Sequence, residues 1–335
     1  MSLRRSPTWP GTGRVTLVLL AAVPAAMAFP WQSIRERWVL GVGAALVILL
    51  LGRWRGLYVT TILRRRMAMS TRNSGLRRVR EPGVDVRATA VLHVRPSPEA
   101  VDVLPLPLIA RYLDRYGIRA DALRITSRDT GSDTGVPQRD TWIGMTVSAV
   151  ENLAALQARS PRIPLPKTTE VAARRLADHL RELGWNANTV GAEDIPPLFS
   201  RSARETWRGV RDQHTEYVAA YRVNVDSALP DMLAAIRSHV ARETWTALEI
   251  SGPDDRPTVA VACAFRTEGR PSGSAPLPGL MPQNGNHWPA LTALDPLSTH
   301  RLDGHAGLPA SLLERLRWPS VAAAAPSRPR HAAAV

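Results

Sequence analysis

"VDVLPLPLIARYLDRYGIRADALRI" at residues 101–125 and "VDSALPDMLAAIRSHVARETWTALEI" at residues 225–250 carry the same order of features, and that order decides the fold class. In the first, Leu108, Ile109, Tyr112, Leu113 and Tyr116 fall at helical spacing. Gly117 is placed for a left-handed C-cap, with Ile118 beyond it. In the second, Leu229, Leu233, Ile236 and Val240 step by four, three and four. A strand follows each helix, at 121–128 and 244–250.

The flanks extend the match. Val84, Val86, Ala88, Ala90, Leu92 and Val94 alternate with Asp85, Arg87, Thr89 and His93, the period of a half-buried strand. Tyr217, Ala219, Tyr221, Val223 and Val225 alternate in the same way. Further strands are predicted at 140–149 and 258–267, so each half reads strand, helix, strand, strand, helix. The expectation is an α+β domain over 83–318, built from two β-α-β-β-type halves at about 83–190 and 211–318.

Between the halves, "TTEVAARRLADHLRELGW" is the clearest helix. Ala172, Ala173, Leu176, Leu180 and Leu183 form its apolar stripe, Thr168 is placed to cap it, Glu170 and Arg174 to pair, and Gly184 to end it. Residues 191–210 and 269–305 lack periodicity and read as long surface loops, and the biased segment 319–335 reads as a disordered tail.

The chain of 335 residues has a formal net charge of +14 and a pI near 11.2, which raises nucleic acid or an anionic surface as a partner. Lys167 is the only lysine, a bias that fits a GC-rich coding history. Arg53, Arg55, Arg64, Arg65, Arg66, Arg72, Arg77, Arg78 and Arg80 form a run without an intervening acid, directly after apolar sequence. That placement favours anionic lipid over nucleic acid, for which no aromatic stacking motif is present.

Val15–Trp31 is apolar apart from Thr16, and a second apolar stretch runs from Trp38. The expectation is a transmembrane hairpin over 15–59, with helices at about 15–31 and 38–58 and Trp31, Trp38, Trp54 and Tyr58 at the interfaces. Arginines at both ends predict a multi-pass inner-membrane protein with both termini cytoplasmic, residues 1–14 leading and a basic linker at 60–82 following. A cleaved signal peptide over 1–28 is the rival reading.

Chemistry is sparse. Cys263, the sole cysteine, alternates with Val259, Val261 and Phe265 as a buried thiol would. His287, Asp295, His300, Asp303 and His305 supply zinc- or iron-type ligands, but none forms the helical pair that would preset two of them, so a polar loop is expected and no metal. Asp129 and Asp133 match no calcium loop, and His214 with Glu216 or Asp254 with Asp255 lack a nucleophile placed by a motif. No catalytic residue and no cofactor is expected.

"TWIGMTVSAVENLAALQARSPRIPLPKTTEVAARRLADHLRELGW" at 141–185, with the arginine-flanked apolar segments upstream, resembles the EccE membrane component of the actinobacterial, including mycobacterial, type VII (ESX) secretion systems. The likeness runs from residue 15 to about 268, and the short chain is similar to the smaller paralogues, among them that of the metal-acquisition system. The resemblance implies a non-enzymatic scaffold subunit of an inner-membrane complex, assembled with EccB, EccD and the motor ATPase EccC. It also implies that "NLAALQARSPRIPLP" at 152–166 is a helix and a prolyl connection, whose Arg159 and Arg162 contact either the chain's own carboxylates or an interface. A membrane-anchored, transferase-like enzyme at the cytoplasmic leaflet is the alternative, and a tethered nucleic-acid binder acting through 53–80 is the third reading.

Overall fold

A computed structural model describes residues 12–27, 33–54, 57–74, 86–96, 103–131, 138–159, 164–200, 202–212, 215–253, 256–309 and 311–319. The chain divides into two compact units, 1–77 and 78–335.

In the first unit α1 (Thr12–Met27) packs on α2 (Ile34–Leu51). A two-strand ladder of β1 (Arg53–Trp54) and β2 (Leu57–Tyr58) follows, and α3 (Val59–Asn73) closes the unit. Among the described residues no helix is long and apolar enough to cross a membrane. At about 1.5 Å per residue, the 16 residues of α1 fall short of a hydrocarbon core about 30 Å thick. The 18 residues of α2 open on Arg35, Glu36 and Arg37. The second apolar stretch was expected to continue as helix to residue 58; instead it breaks at Gly52, where the ladder starts. The transmembrane hairpin, and with it the multi-pass inner-membrane placement, is therefore corrected.

The second unit is one antiparallel sheet with helices and loops on both faces. Its elements are β3 (Arg87–Pro96), α4 (Leu106–Ala110), β4 (Asp114–Arg115), β5 (Ile118–Thr130), β6 (Gln138–Ser148), α5 (Leu153–Arg159), α6 (Leu165–Glu182), β7 (Trp185–Val190), β8 (Arg204–Thr206), β9 (Gly209–Asp212), β10 (Glu216–Val223), α7 (Leu229–Ser238), β11 (Glu243–Ser251), β12 (Thr258–Glu268), β13 (Leu280–Pro282), α8 (His287–Leu294), β14 (Ala306–Gly307) and α9 (Leu312–Arg315). Strand order is β7-β3-β6-β5-β11-β12-β10-β9-β8.

The order shows how the halves meet. β3-β6-β5 and β10-β12-β11 are the same three strands traversed from opposite edges, and β5 pairs antiparallel with β11 where they join. Arg124 and Glu249 are register partners at that seam and lie 125 positions apart. The same separation relates Leu123 to Leu248 and Ile125 to Ile250, while the ladder pairs Leu123 with Ile250 and Ile125 with Leu248. Equivalent positions of the two halves thus exchange across a pseudo-twofold axis that runs through the Arg124–Glu249 pair.

One face carries the larger core. Leu176, Ala177 and Leu180 of α6, Leu233 and Ile236 of α7, and Leu312 of α9 bury against Leu92, Met145, Leu248 and Val261 of the sheet. α6 begins at Leu165 behind Pro164, which provides no side-chain cap, so Thr168 sits buried in the second turn and not at the cap. Glu170 and Arg174 do pair, and Gly184, at φ +83°, turns the chain out of the helix. α4 stops at Ala110, a short 3-10 turn covers Arg111–Leu113, and the expected longer helix does not form. Tyr116 and Gly117 instead make the two-residue turn between β4 and β5.

The other face corrects a second expectation. The segments 191–210 and 269–305 supply β8, the start of β9, β13 and α8; the strands extend the sheet, and the rest of these segments covers its face. Ile195, Leu198, Leu291, Leu294 and Leu302 bury Val91, Trp142, Val210, Trp245 and Ala247. Every residue of β11 is buried as a result, so the alternation of a half-exposed strand does not describe the centre of the sheet. The expected tail beyond Pro319 lies outside the described residues.

Gly144 of β6 is where the cover comes closest. A Cβ there would run into the carbonyl oxygen of Pro296, which is backbone and cannot swing aside. Gly144→Ala is expected to lift the 295–300 segment and to cost about 1–3 kcal/mol, read as a lowered urea midpoint of the full chain with near-native secondary structure retained.

Candidate functional site

Two charged assemblies occupy the covered face, and both start from charged residues on buried strands. At the seam, Arg124 and Glu249 are 4% and 0% exposed at the side chain. Arg124 donates from Nε and Nη2 to Glu249 Oε2 at 3.0 and 2.6 Å. Its Nη1 donates to the carbonyls of Asp295 and Ser298 at 2.9 and 3.0 Å, and Nη2 also reaches the carbonyl of His300. Glu249 in turn accepts the Leu302 amide at 3.3 Å, lies 3.0 Å from His305 Nε2, and has Arg301 Nε at 3.6 Å. One ion pair therefore fastens the 295–305 segment to the middle of the sheet.

Burial alone would push the Glu249 carboxyl up. The His305 hydrogen bond and the Arg124 guanidinium outweigh burial and hold it below the usual carboxylate range.

The second assembly lines a cavity of about 460 Å³ near the β10–β12–β11 end of the sheet. Arg266 is its centre: Nε donates to Glu243 at 2.6 Å, Nη1 to Asp212 at 3.0 Å and Glu216 at 3.1 Å, and Nη2 to the Leu198 carbonyl at 2.6 Å. Arg128 takes the other oxygen of Glu243, and Arg242 Nη1 reaches Glu216 at 2.5 Å. Asp212 also accepts the Ser200 amide at 3.1 Å. Burial would raise Asp212, but Ser200 and Arg266 together lower it. Three arginines face three carboxylates here. No imidazole lines this cavity among the described residues.

Alongside, His93, Trp142 and Trp245 stack in succession, with centroids 5.5 and 5.7 Å apart, and Arg128 lies over Trp245 at 5.8 Å. His93 Nε2 is 3.3 Å from Asp140, and the imidazole beside it lowers the Asp140 carboxyl. Cys263 is fully buried and its thiol is pushed far up by burial, away from nucleophilic use.

The imidazoles singled out from sequence do not converge. The Nδ1 of His287 accepts the Ala220 amide at 3.1 Å, His305 serves Glu249, and His300 is exposed. Among the described residues no group of three His, Cys, Asp or Glu side chains could hold a metal. Asp129 pairs with Arg139 at 3.1 Å, and Glu216 joins the Arg266 cluster. Asp133, His214, Asp254 and Asp255 lie outside the described residues, as do Arg55 and Arg162. Arg64 and Arg66 are exposed on α3, Arg65 is half-buried there, Arg53 falls in β1, and Arg159 ends α5. Sequence reading passed over Arg124 and Glu249, although one signal was available: "ALRI" and "ALEI" each place a single charge inside an otherwise apolar strand.

Residues 136–223, a span that contains β6 to β10, match the family described as "Putative type VII ESX secretion system translocon, EccE". A protein of Mycobacterium tuberculosis (strain CDC 1551 / Oshkosh) named ESX-3 secretion system protein EccE3 is 60% identical over 326 residues, 96% of each chain. The chain belongs to the EccE family. The protein of the same name from strain H37Rv is 59% identical over the same span. That of Mycolicibacterium smegmatis is 51% identical over 298 residues, 88% of this chain and 91% of its own. Both charged assemblies draw on residues beyond the segment that the family model matches, Glu249 and Arg266 among them.

Removing one member of a buried pair strands the other, so Arg124→Ala is expected to cost about 3–5 kcal/mol, and the double change Arg124→Met with Glu249→Leu much less. Because the folded Glu249 carboxyl titrates below its unfolded value, its contribution is fully present above roughly pH 4–5 and is lost as pH falls through the depressed folded value. Urea midpoints of the full chain at pH 7 and pH 3 should therefore fall further in the wild type than in Glu249→Gln.

Proposed function

We propose that the chain is a structural, non-enzymatic subunit of a type VII (ESX) secretion complex, assembled with the EccB, EccC and EccD components, of which EccC is the motor ATPase. The observation that carries the reading is identity maintained over 96% of both this chain and a relative named as an ESX-3 secretion system protein. The charge chemistry supports it: the buried arginines and carboxylates of the second unit are spent on one another and on backbone carbonyls, which is how a rigid platform is built.

Arg159 and Arg162, which precede α6 in the sequence, are assigned to a contact with the other components. Exposed Arg64 and Arg66 on α3 are assigned to anionic lipid headgroups. Affinity purification of the tagged full-length chain from cells lysed in mild detergent tests the subunit reading. The expected result is recovery of EccB, EccC and EccD in fixed ratio, reduced when Arg159 and Arg162 are both changed to Glu. Recovery of the chain alone, as a monodisperse species, would overturn it. For the lipid contact, cosedimentation of the purified chain with phosphatidylserine vesicles should drop when Arg64 and Arg66 become Glu, and unchanged sedimentation would remove that assignment.

A further inference from the structure

The charges on the helix-bearing side of the second unit are treated differently from those on the covered face. A cavity of about 320 Å³ opens between α6 and the β4–β5 turn. Its floor is apolar, with Ile118, Met145 and Ala172, and Val171 at 47% exposure on the rim. Its walls carry Arg115, Lys167 and Arg175, and no Asp or Glu lines it among the described residues. Among the described residues none of these three cations has a carboxylate within ion-pair distance; the nearby Arg119 takes Asp114 and Glu151, and Arg174 takes Glu170. Elsewhere in the unit Arg124, Arg128, Arg139 and Arg266 each pair with a carboxylate, whereas these three cations ring a cavity that no carboxylate lines among the described residues.

The tyrosines bring the cations together. The Cζ atoms of Arg115 and Arg175 lie 5.1 and 4.7 Å from the centroid of one ring, that of Tyr116, and Arg115 is also 4.8 Å from the ring of Tyr112. Two guanidinium groups on one ring repel each other, and ring attraction only partly offsets that. Tyr116 also sits at φ +57°, next to Gly117 at φ +69°, both positive as in a type I′ hairpin turn. Gly or Asn takes that first turn position without penalty. A bulky aromatic there is strained, yet the strain is what aims a half-exposed ring into the mouth of the cavity. Tyr112 is fixed below, its hydroxyl donating to the Arg175 carbonyl at 3.1 Å, with His179 Nδ1 at 3.3 Å.

An apolar floor large enough for one side chain, an aromatic wall and a rim of unneutralised cations define a ligand with an apolar body and flanking negative charge. We infer that this cavity docks an acidic segment of a partner protein, seating an aromatic or large aliphatic residue on Met145 and Ala172 while neighbouring carboxylates meet Arg115, Lys167 and Arg175. A free phosphate would gain nothing from the floor, and a neutral apolar segment would leave the cations as they are. The inference rests on the reading of the chain as a subunit of a protein assembly and names one surface through which it holds a partner.

The test uses the purified full-length chain and a short fluorescein-labelled peptide in which one Phe is flanked by Glu, followed by fluorescence anisotropy. Saturable binding is expected. It should weaken by about tenfold or more, a difference of about 1.4 kcal/mol, when Lys167 and Arg175 are both changed to Gln. It should fall similarly in Val171→Glu, an exposed position whose change leaves the melting temperature in place. Replacing the Glu residues of the peptide by Gln, or its Phe by Ser, should each abolish binding. The proposal is overturned if the Gln peptide binds as well as the Glu peptide, if the variants bind unchanged, or if inorganic phosphate at matched ionic strength displaces the peptide. Because the assay contains no other secretion component, failure here with copurification intact removes the pocket alone. Peptide binding without copurification removes the subunit reading and leaves the pocket.

Discussion

The pairing of β5 with β11 is the contact through which the two halves become one sheet, and its centre is a salt bridge that water does not reach. An exact duplication would place identical residues opposite each other on the axis, and two arginines or two glutamates buried there would repel without relief. Arg124 opposite Glu249 removes the repulsion and makes the axis position attractive. The pair then does a second task, because the remaining donors of Arg124 reach three backbone carbonyls in the 295–300 segment. The half-to-half seam and the attachment of the covering segment therefore share one set of charges, and a change at either is felt by both.

That sharing explains the uneven legibility of the fold. Strands with strong alternation and the helices α6 and α7 declare themselves by period, and the repeated order of the halves is visible in the two quoted stretches. The second covered face is not visible in that way. α8 has only eight residues, and Leu291, Leu294 and Leu302 stand among prolines, glycines and polar residues with no repeating interval. Their burial is set by hydrogen bonds to Arg124 and Glu249 from far away in sequence, which a local pattern does not contain. The α4 region fails for a different reason: Pro105 and Pro107 start a helix that the extended backbone at Asp114 stops, and Tyr116 is spent on a turn where periodicity had placed it on a helix face. At the N-terminus, hydropathy measured the apolar content but not where helices end; Gly52 and the following ladder set that limit.

For the site, composition offered ligand-type side chains whose spacing already argued against a metal, and the resemblance pointed elsewhere. The His and Asp residues of 287–305 looked like ligands because of their chemistry, yet the chain uses His287 and His305 as hydrogen-bond partners for a strand amide and a buried carboxylate. The family likeness, carried by 141–185, pointed to assembly and away from catalysis, and the relatives in two mycobacterial genera place the chain in that family. What neither composition nor likeness could supply is the location of a single charge within an apolar strand, which becomes meaningful only when its register partner is known.

A net charge of +14 suggests a uniformly basic protein, but the second unit distributes its arginines by a stricter rule. Where an arginine is deeply buried, desolvation is offset by carboxylates and carbonyls that fill its donors, as at Arg124 and Arg266. Where arginines stand at the rim of an apolar hollow, beside Tyr116, water screens part of the repulsion, and among the described residues no carboxylate lines the hollow to remove the rest. The first arrangement gains rigidity and gives up the capacity to bind, because a satisfied guanidinium has nothing left to offer an incoming group. The second keeps that capacity at some cost in stability, and a strained turn residue adds to the cost without aiding the core. For a chain read as the subunit of an assembly, the surface that bears such costs is the one on which a partner's charge would have the largest effect.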